Sequence, residues 1–354
     1  VTVCGELPGS DVLKVAIYDD PIFREHDSGA GHPERSARVD AVRQGIVEIG
    51  PTERLSWPAV RPATDAELLR VHTERHVRSV AASAGRTVAF DPDTQAGPRT
   101  YRAALHAAGA VVDATTAVLD GQQDRAFCLS RPPGHHAESE RVMGFCYFNN
   151  VAVAAAEALA RGVARVLIVD FDVHHGNGTQ EIFYPDPRVL YVSSHQFPFY
   201  PGTGMQIEQG AGPGRGFTVN LPMPAGSGDA DYLRVYREIV LPLARAFDPE
   251  LVLVSAGFDA FGGDPLAGMR LTADGYGALA GLCLEAAAGA ANGRAVFALE
   301  GGYDLDGLAS SGAAVTRVLL GETAPDPGGT ASAEIEKRLP LYRAAVAPFW
   351  PALG

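Results

Sequence analysis

Short apolar runs alternate with longer amphipathic stretches along most of the chain, and the runs tend to end in polar clusters. Leu13–Tyr18, Phe127–Ser130, Arg165–Val169, Arg188–Ser193, Phe217–Leu221, Pro249–Ser255 and Ala295–Leu299 read as buried strands. Val39, Val42 and Ile46 recur with helical period, which predicts a helix after His32-Pro33-Glu34-Arg35 with Arg38 and Arg43 on its wetter side. LRVH at 69–72 and ERHV at 74–77 suggest a short helical region. Gly97 as N-cap and Pro98 as first helical residue open a long helix through Ala103–Leu119, whose alanines imply close packing on a sheet. Val151–Ala160, Tyr232–Arg245 and Asp274–Ala291 read as further helices.

Strand–helix–strand alternation marks an α/β fold, and polar clusters at strand exits lie where open parallel sheets carry their sites. Residues 1–12 read as a loose lead-in and residues 322–335 as a surface linker. A final helix, Ile335–Val346, should be kinked or shortened by Pro340. With no internal repeat and no strong boundary, the residues allow one large α/β domain or two smaller ones.

Composition narrows the function. The 46% hydrophobic content of 354 residues allows a substantial core. A formal charge of −13 with no Lys/Arg block argues against direct nucleic-acid binding. Cys4, Cys128, Cys146 and Cys283 show no CxxC spacing and fit a reducing, cytoplasmic setting. Ala-rich segments are interrupted before transmembrane length, so no membrane partner is expected. The chain carries no GxGxxG and no Walker sequence, and Ser255 lacks a nucleophile-elbow context. Oligomeric state stays open, a homo-oligomer included.

The chemistry concentrates at Leu167–Gly178, LIVDFDVHHGNG. Asp170 and Asp172 share a side of an extended chain and His174 continues that phase, so an aspartate and an imidazole can reach one divalent ion such as zinc. A polar loop with Asx turns is the alternative reading. Asp259, just past the 249–255 strand, is the third candidate ligand, or else a helix cap. His135 and His136, after Pro132-Pro133-Gly134, form a candidate acid/base pair if the turn brings both to one site. Asp170 could accept a proton from one imidazole and Asn177 from the other, which would separate their proton affinities. Tyr303, after a double glycine, could donate to an oxyanion; alone it reads as core packing. Phe145 and Tyr200 could wall an apolar slot.

Six blocks, RPPGHHA at 131–137, GFCYFNN at 144–150, DFDVHHGNGTQ at 170–180, SAGFDA at 255–260, GDPL at 263–266 and EGGY at 300–303, together resemble the zinc-dependent histone deacetylase family. That family includes bacterial acetylpolyamine amidohydrolases and acetoin-utilisation proteins. The resemblance runs from about Val15 to Leu320 and implies the arginase/deacetylase α/β fold, a single domain over 1–354 around an eight-stranded parallel sheet flanked by helices, with a core of about 13–320 and a C-terminal extension 321–354. It implies a zinc-dependent amidohydrolase with Asp172, His174 and Asp259 as zinc ligands. His135, His136, Tyr303, Asp170 and Asn177 match the catalytic set, with His136 as general base and His135 as electrostatic support. Gly144, Phe145, Tyr200 and Leu266 match the substrate channel. Asp170, Asp172, His174, Ser193 and Ser194 match the family's inner potassium site.

Three positions refine the expectation. Asn177 stands where class I members carry aspartate, which resembles the class II and bacterial branch. Tyr200 replaces a tunnel phenylalanine. Leu266 replaces the glutamate that polyamine-specific members can carry, which points to acylated lysine in protein or peptide; acetylpolyamines or another small acylamide are the alternative. A manganese ureohydrolase on the related fold would need a denser ligand set, and a non-catalytic binding protein would not need every catalytic position filled.

Overall fold

All seven apolar runs become strands of one sheet in the computed structural model, which describes residues 13–51 and 53–351. The strands are β1 (Val15–Tyr18), β2 (Leu55–Ser56), β5 (Arg125–Cys128), β6 (Val166–Asp170), β7 (Val189–Gln196), β8 (Thr218–Met223), β9 (Leu251–Ala256) and β10 (Ala295–Leu299). Their order is β2-β1-β5-β10-β9-β6-β7-β8, and every pairing is parallel. A separate hairpin joins β3 (Val88–Ala89) and β4 (Gln95–Ala96). β2, β3 and β4 have two residues each, too few to show a period in the sequence. Residues 1–12, read as a lead-in, lie outside the described residues.

The helices are α1 (Ala37–Glu48), α2 (Asp65–Leu68), α3 (Glu74–Ala81), α4 (Thr100–Leu119), α5 (Asn150–Ala160), α6 (Asn177–Phe183), α7 (Asp229–Val235), α8 (Leu241–Phe247), α9 (Ala273–Ala286), α10 (Leu305–Leu319) and α11 (Ala333–Val346). α1 packs on α10 and α10 on α9, while α4 packs on α5. Strands β6, β7, β8 and β9 are buried along their whole length, as a sheet covered on both faces requires. No helix among the described residues is long and apolar enough to cross a membrane.

Several boundaries differ from expectation for local reasons. α4 starts at Thr100, and Gly97 and Pro98 lie in the turn before it, where Thr100 Oγ1 accepts from the Gly97 N–H at 2.9 Å. Of the region around 69–77, only the part from Glu74 is helical; Thr73 caps it by accepting from the His76 N–H. The Tyr232–Arg245 stretch contains a π-turn at Tyr236–Val240, two residues before Pro242, which has no N–H to continue an α-helical ladder. α9 ends at Ala286, short of Ala291, and Asn292 and Gly293 take left-handed backbone in the turn that leads into β10. α11 runs through Pro340 without ending; Pro340 sits on the exposed face, so the carbonyl it leaves free faces water while Ile335, Leu339, Tyr342 and Val346 bury the other side.

Arg38 corrects the periodicity reading most sharply. It is fully buried, not on the wet side of α1, whereas Arg43 does reach solvent. Arg38 is held there by Glu34 at 2.9 Å and donates to the carbonyls of Gly302 and Glu300. Glu34 also pairs with Arg131 at 2.6 Å, so one buried carboxylate serves both guanidinium groups and backbone carbonyls accept their remaining N–H groups.

Because the strands are parallel, their C-terminal ends gather at one edge. Asp170 on β6 lies opposite Ser193 on β7 and Ser255 on β9, and Leu299 on β10 lies opposite Ala256. The loops leaving those four strands carry the polar clusters seen in the sequence.

Candidate active site

β6 ends at Asp170, so Asp172 and His174 are brought together by a turn and not by the pleat of a strand. His174 Nδ1 lies 3.1 Å from both Asp172 Oδ1 and Asp259 Oδ2. One ligand atom from each of the three residues lies within 4.8 Å of the others. Backbone N–H groups fix the carboxylates: His174 donates to Asp172, Val173 to Asp259 at 2.8 Å, and Gly301 to Asp172 at 2.7 Å. A Cβ at Gly301 would collide with the oxygens of Asp172 and Asp259, so glycine is what lets the backbone come this close.

The donor set suits zinc: two buried carboxylates and one imidazole, with room for a further ligand. Burial pushes Asp259 upward and the Asp172 charge beside it adds to that, a repulsion that a bound cation relieves. Burial opposes a charge on His174, yet hydrogen bonds to Asp172 and Asp259 push its imidazole up to about 10. A zinc ligand must be neutral, so that proton has to leave as the ion enters. Apparent zinc affinity should therefore rise about tenfold per pH unit through neutrality and fall as pH drops. Calorimetry in buffers of different protonation enthalpy reads this; zinc binding with no proton release would show that His174 is already neutral in the metal-free site.

The tandem histidines converge as expected. His135 Nδ1 lies 3.1 Å from Asp170 Oδ2, and His136 Nδ1 lies 2.8 Å from Asn177 Oδ1. Asp170 also accepts from the Tyr191 hydroxyl at 2.9 Å. Burial works against a charge on either ring. At His135 the neighbouring Asp172 and Asp170 overcome it and push the imidazole up to about 10. At His136 burial wins, helped by the charges of His135 and His174, and the imidazole is held well below its ordinary range. Gly144, at φ 56°, presses its backbone against the His136 ring where a side chain would collide.

Tyr303 sits beside this group. Its backbone N–H donates to Asp264 at 2.6 Å, and the Arg38 guanidinium lies 4.9 Å from its ring centroid. A cavity of about 100 Å³ leads in from the surface, bordered by Asp93, Phe145, Tyr200, Leu266, His136 and Tyr303 among others. All four expected channel residues, Gly144, Phe145, Tyr200 and Leu266, line it. The volume is well below the roughly 300–1,000 Å³ of drug-sized pockets, so the slot admits a slender group. Phe145 holds a left-handed backbone (φ 68°) and Thr94 accepts from its N–H at 3.1 Å, which fixes the aromatic wall. Ser193 and Ser194 are buried on β7, bonded to His195 and the Tyr236 hydroxyl. His175 is occupied by Thr203 and Gln180 and takes no place among the three ligand residues.

Two contributors went unassigned in the sequence. Glu300 accepts from the N–H groups of Gly134 at 2.6 Å and His135 at 3.1 Å, holding the turn that aims both histidines. Burial pushes it up to about 7. A carboxylate ending a wholly apolar strand was the available signal, the same one that marked Asp170. Phe199 was the second: its ring stacks on His174 at 5.3 Å between centroids. Nothing separated it in sequence from its aromatic neighbours.

The comparisons agree with one another. The family described as the histone deacetylase domain matches residues 32–319. A probable deacetylase of Archaeoglobus fulgidus is 41% identical over 290 residues, covering 80% of this chain and 80% of that protein. Histone deacetylase 15 of Arabidopsis thaliana is 43% identical over 297 residues, 82% of this chain but 53% of that protein, so the match spans about half of its length. The crystal structure of the HDA15 HD domain aligns with a TM-score of 0.90 at 39% identity, covering 97% of this chain and 96% of that one.

Proposed function

The chain belongs to the histone deacetylase family and is a deacetylase-type hydrolase, and from that premise we propose that it removes an acetyl or other acyl group from the side-chain amine of lysine in protein or peptide. The observation that carries this reading is the slender cavity walled by Phe145, Tyr200 and Leu266, which suits an uncharged acylated stem. Asp172, His174 and Asp259 would hold zinc, which supplies Lewis-acid polarisation of the acyl carbonyl and activation of water.

The chain's own groups divide the remaining work. His136 is neutral and takes the proton of the attacking water at Nε2, since Asn177 occupies its Nδ1. His135, charged beside Asp170, supports the developing negative charge. Tyr303 donates its phenolic proton in a hydrogen bond to the oxyanion. His136 then returns the proton to the departing amine, leaving a carboxylate and a free amine. The asparagine behind His136 supports a place in the class II-like branch. Asp170, Asp172, His174, Ser193 and Ser194 are proposed to hold potassium, with Asp170 at the end of β6 pairing with Ser193 of β7. The free buried thiols of Cys128, Cys146 and Cys283 support a cytoplasmic setting.

One observation favours a second substrate. Asp93 places a carboxylate on the cavity wall, where it would attract the free amines of an acetylpolyamine. Paired assays separate the two. Acetyl-lysine peptide should exceed acetylputrescine by about tenfold or more in kcat/KM; the reverse preference would replace lysine with a small acylated amine.

A further inference from the structure

Asn177 does not end the chain of contacts behind His136. Its Nδ2 donates to Glu138 Oε1 at 2.7 Å, and the same nitrogen faces Met143 Sδ at 3.3 Å and the His136 carbonyl at 3.5 Å. A carboxylate, a thioether and a carbonyl are all acceptors, so the NH₂ of Asn177 must point toward them. Its Oδ1 is then forced toward His136 Nδ1, at 2.8 Å. An oxygen at that position requires the proton of the neutral imidazole to be on Nδ1. The lone pair is left on Nε2, in the ring that borders the cavity.

Glu138 is itself well placed for this. Its carbonyl accepts from His72 Nδ1 at 3.0 Å, and its N–H donates to the Arg141 carbonyl at 3.0 Å. The backbone is thus pinned on both sides while the half-buried side chain reaches inward. We propose that Glu138 is a positioning residue for the hydrolysis: its carboxylate orients the Asn177 amide and thereby sets the tautomer in which His136 accepts a proton. The neutral asparagine is backed by a full negative charge one residue further out. The inference rests on His136 being the base.

Glu138→Ala leaves only the thioether and a long carbonyl contact to orient the amide. It should lower kcat about tenfold with KM, zinc content and melting temperature unchanged. Glu138→Gln keeps an acceptor within reach of Asn177 Nδ2 and should return to within about threefold of wild type. Asn177→Asp sets two carboxylates face to face and should be strongly impaired. The double variant Asn177→Asp/Glu138→Gln gives the new carboxylate an amide donor and should recover much of the loss. Wild-type turnover in Glu138→Ala, a Glu138→Gln variant as impaired as Glu138→Ala, or no recovery in the double variant would overturn the proposal. His136→Ala, run alongside, separates the two readings. If it is inactive while Glu138→Ala is normal, only the role of Glu138 falls; if it turns over normally, the base assignment falls and takes this inference with it.

Discussion

Replacing His136 with alanine should lower kcat by about 10²–10⁴-fold, and replacing His135 should cost less. Sequence places the two rings side by side, and their centroids lie 4.0 Å apart, yet their surroundings oppose each other. His135 faces Asp170 and Asp172 and keeps its proton through neutrality, so it is a poor acceptor. His136 faces an amide oxygen and two other imidazoles, and burial holds it well below the ordinary histidine range. Its neutral form therefore persists as pH falls. The acid limb of kcat should lie below about pH 6.5, the ordinary histidine value, with activity lost only as pH drops through the depressed range. His135→Ala leaves the buried Asp170 with the Tyr191 hydroxyl and the Asp172 N–H as partners, so its main expression should be lower stability. Rates, zinc content and melting curves of the two variants decide the matter; equal losses in kcat would remove the division of labour between them.

The same contrast explains what could be read from the sequence. β6 and β9 are continuous apolar runs, and a run buried on both faces announces itself by composition alone. Asp172, His174 and Asp259 stood out because charge at the tip of such a strand has no cheap structural use. Arg38 went unread because helical periodicity assigns a lone arginine to the wet face. Its burial depends on Glu34 and on carbonyls more than 260 residues away. Glu300 and Glu138 act through backbone amides or a side-chain amide whose direction only the folded turn defines. Local sequence reports where a strand ends; it does not report which donors the neighbouring loops bring to that end. The π-turn before Pro242 and the unbroken α11 through Pro340 make the same point about proline. Its effect depends on whether the freed carbonyl meets water or core.

Replacing Tyr303 with phenylalanine should leave zinc content and melting temperature near wild type while lowering kcat about 10²–10³-fold, with KM little changed. The ring's packing survives the change, since Arg38 lies over its face and Phe145 meets it edge-on at 6.2 Å. The backbone survives too, because Asp264 accepts from the N–H of Tyr303 and of Asp304 whatever the side chain. Only the hydroxyl is lost. Burial raises its proton affinity well above the ordinary phenol, and the charges of Asp259 and Asp172 outside the ring add to this against the opposing Arg38. Tyr303 is therefore a neutral donor at every working pH, as a hydrogen bond to an oxygen that gains negative charge requires. A donor of that kind contributes far more to the tetrahedral state than to the bound amide, so its loss belongs in kcat and not in KM. A variant that raised KM at unchanged kcat would make Tyr303 a substrate-binding wall residue, and one with normal turnover would take it out of the reaction altogether.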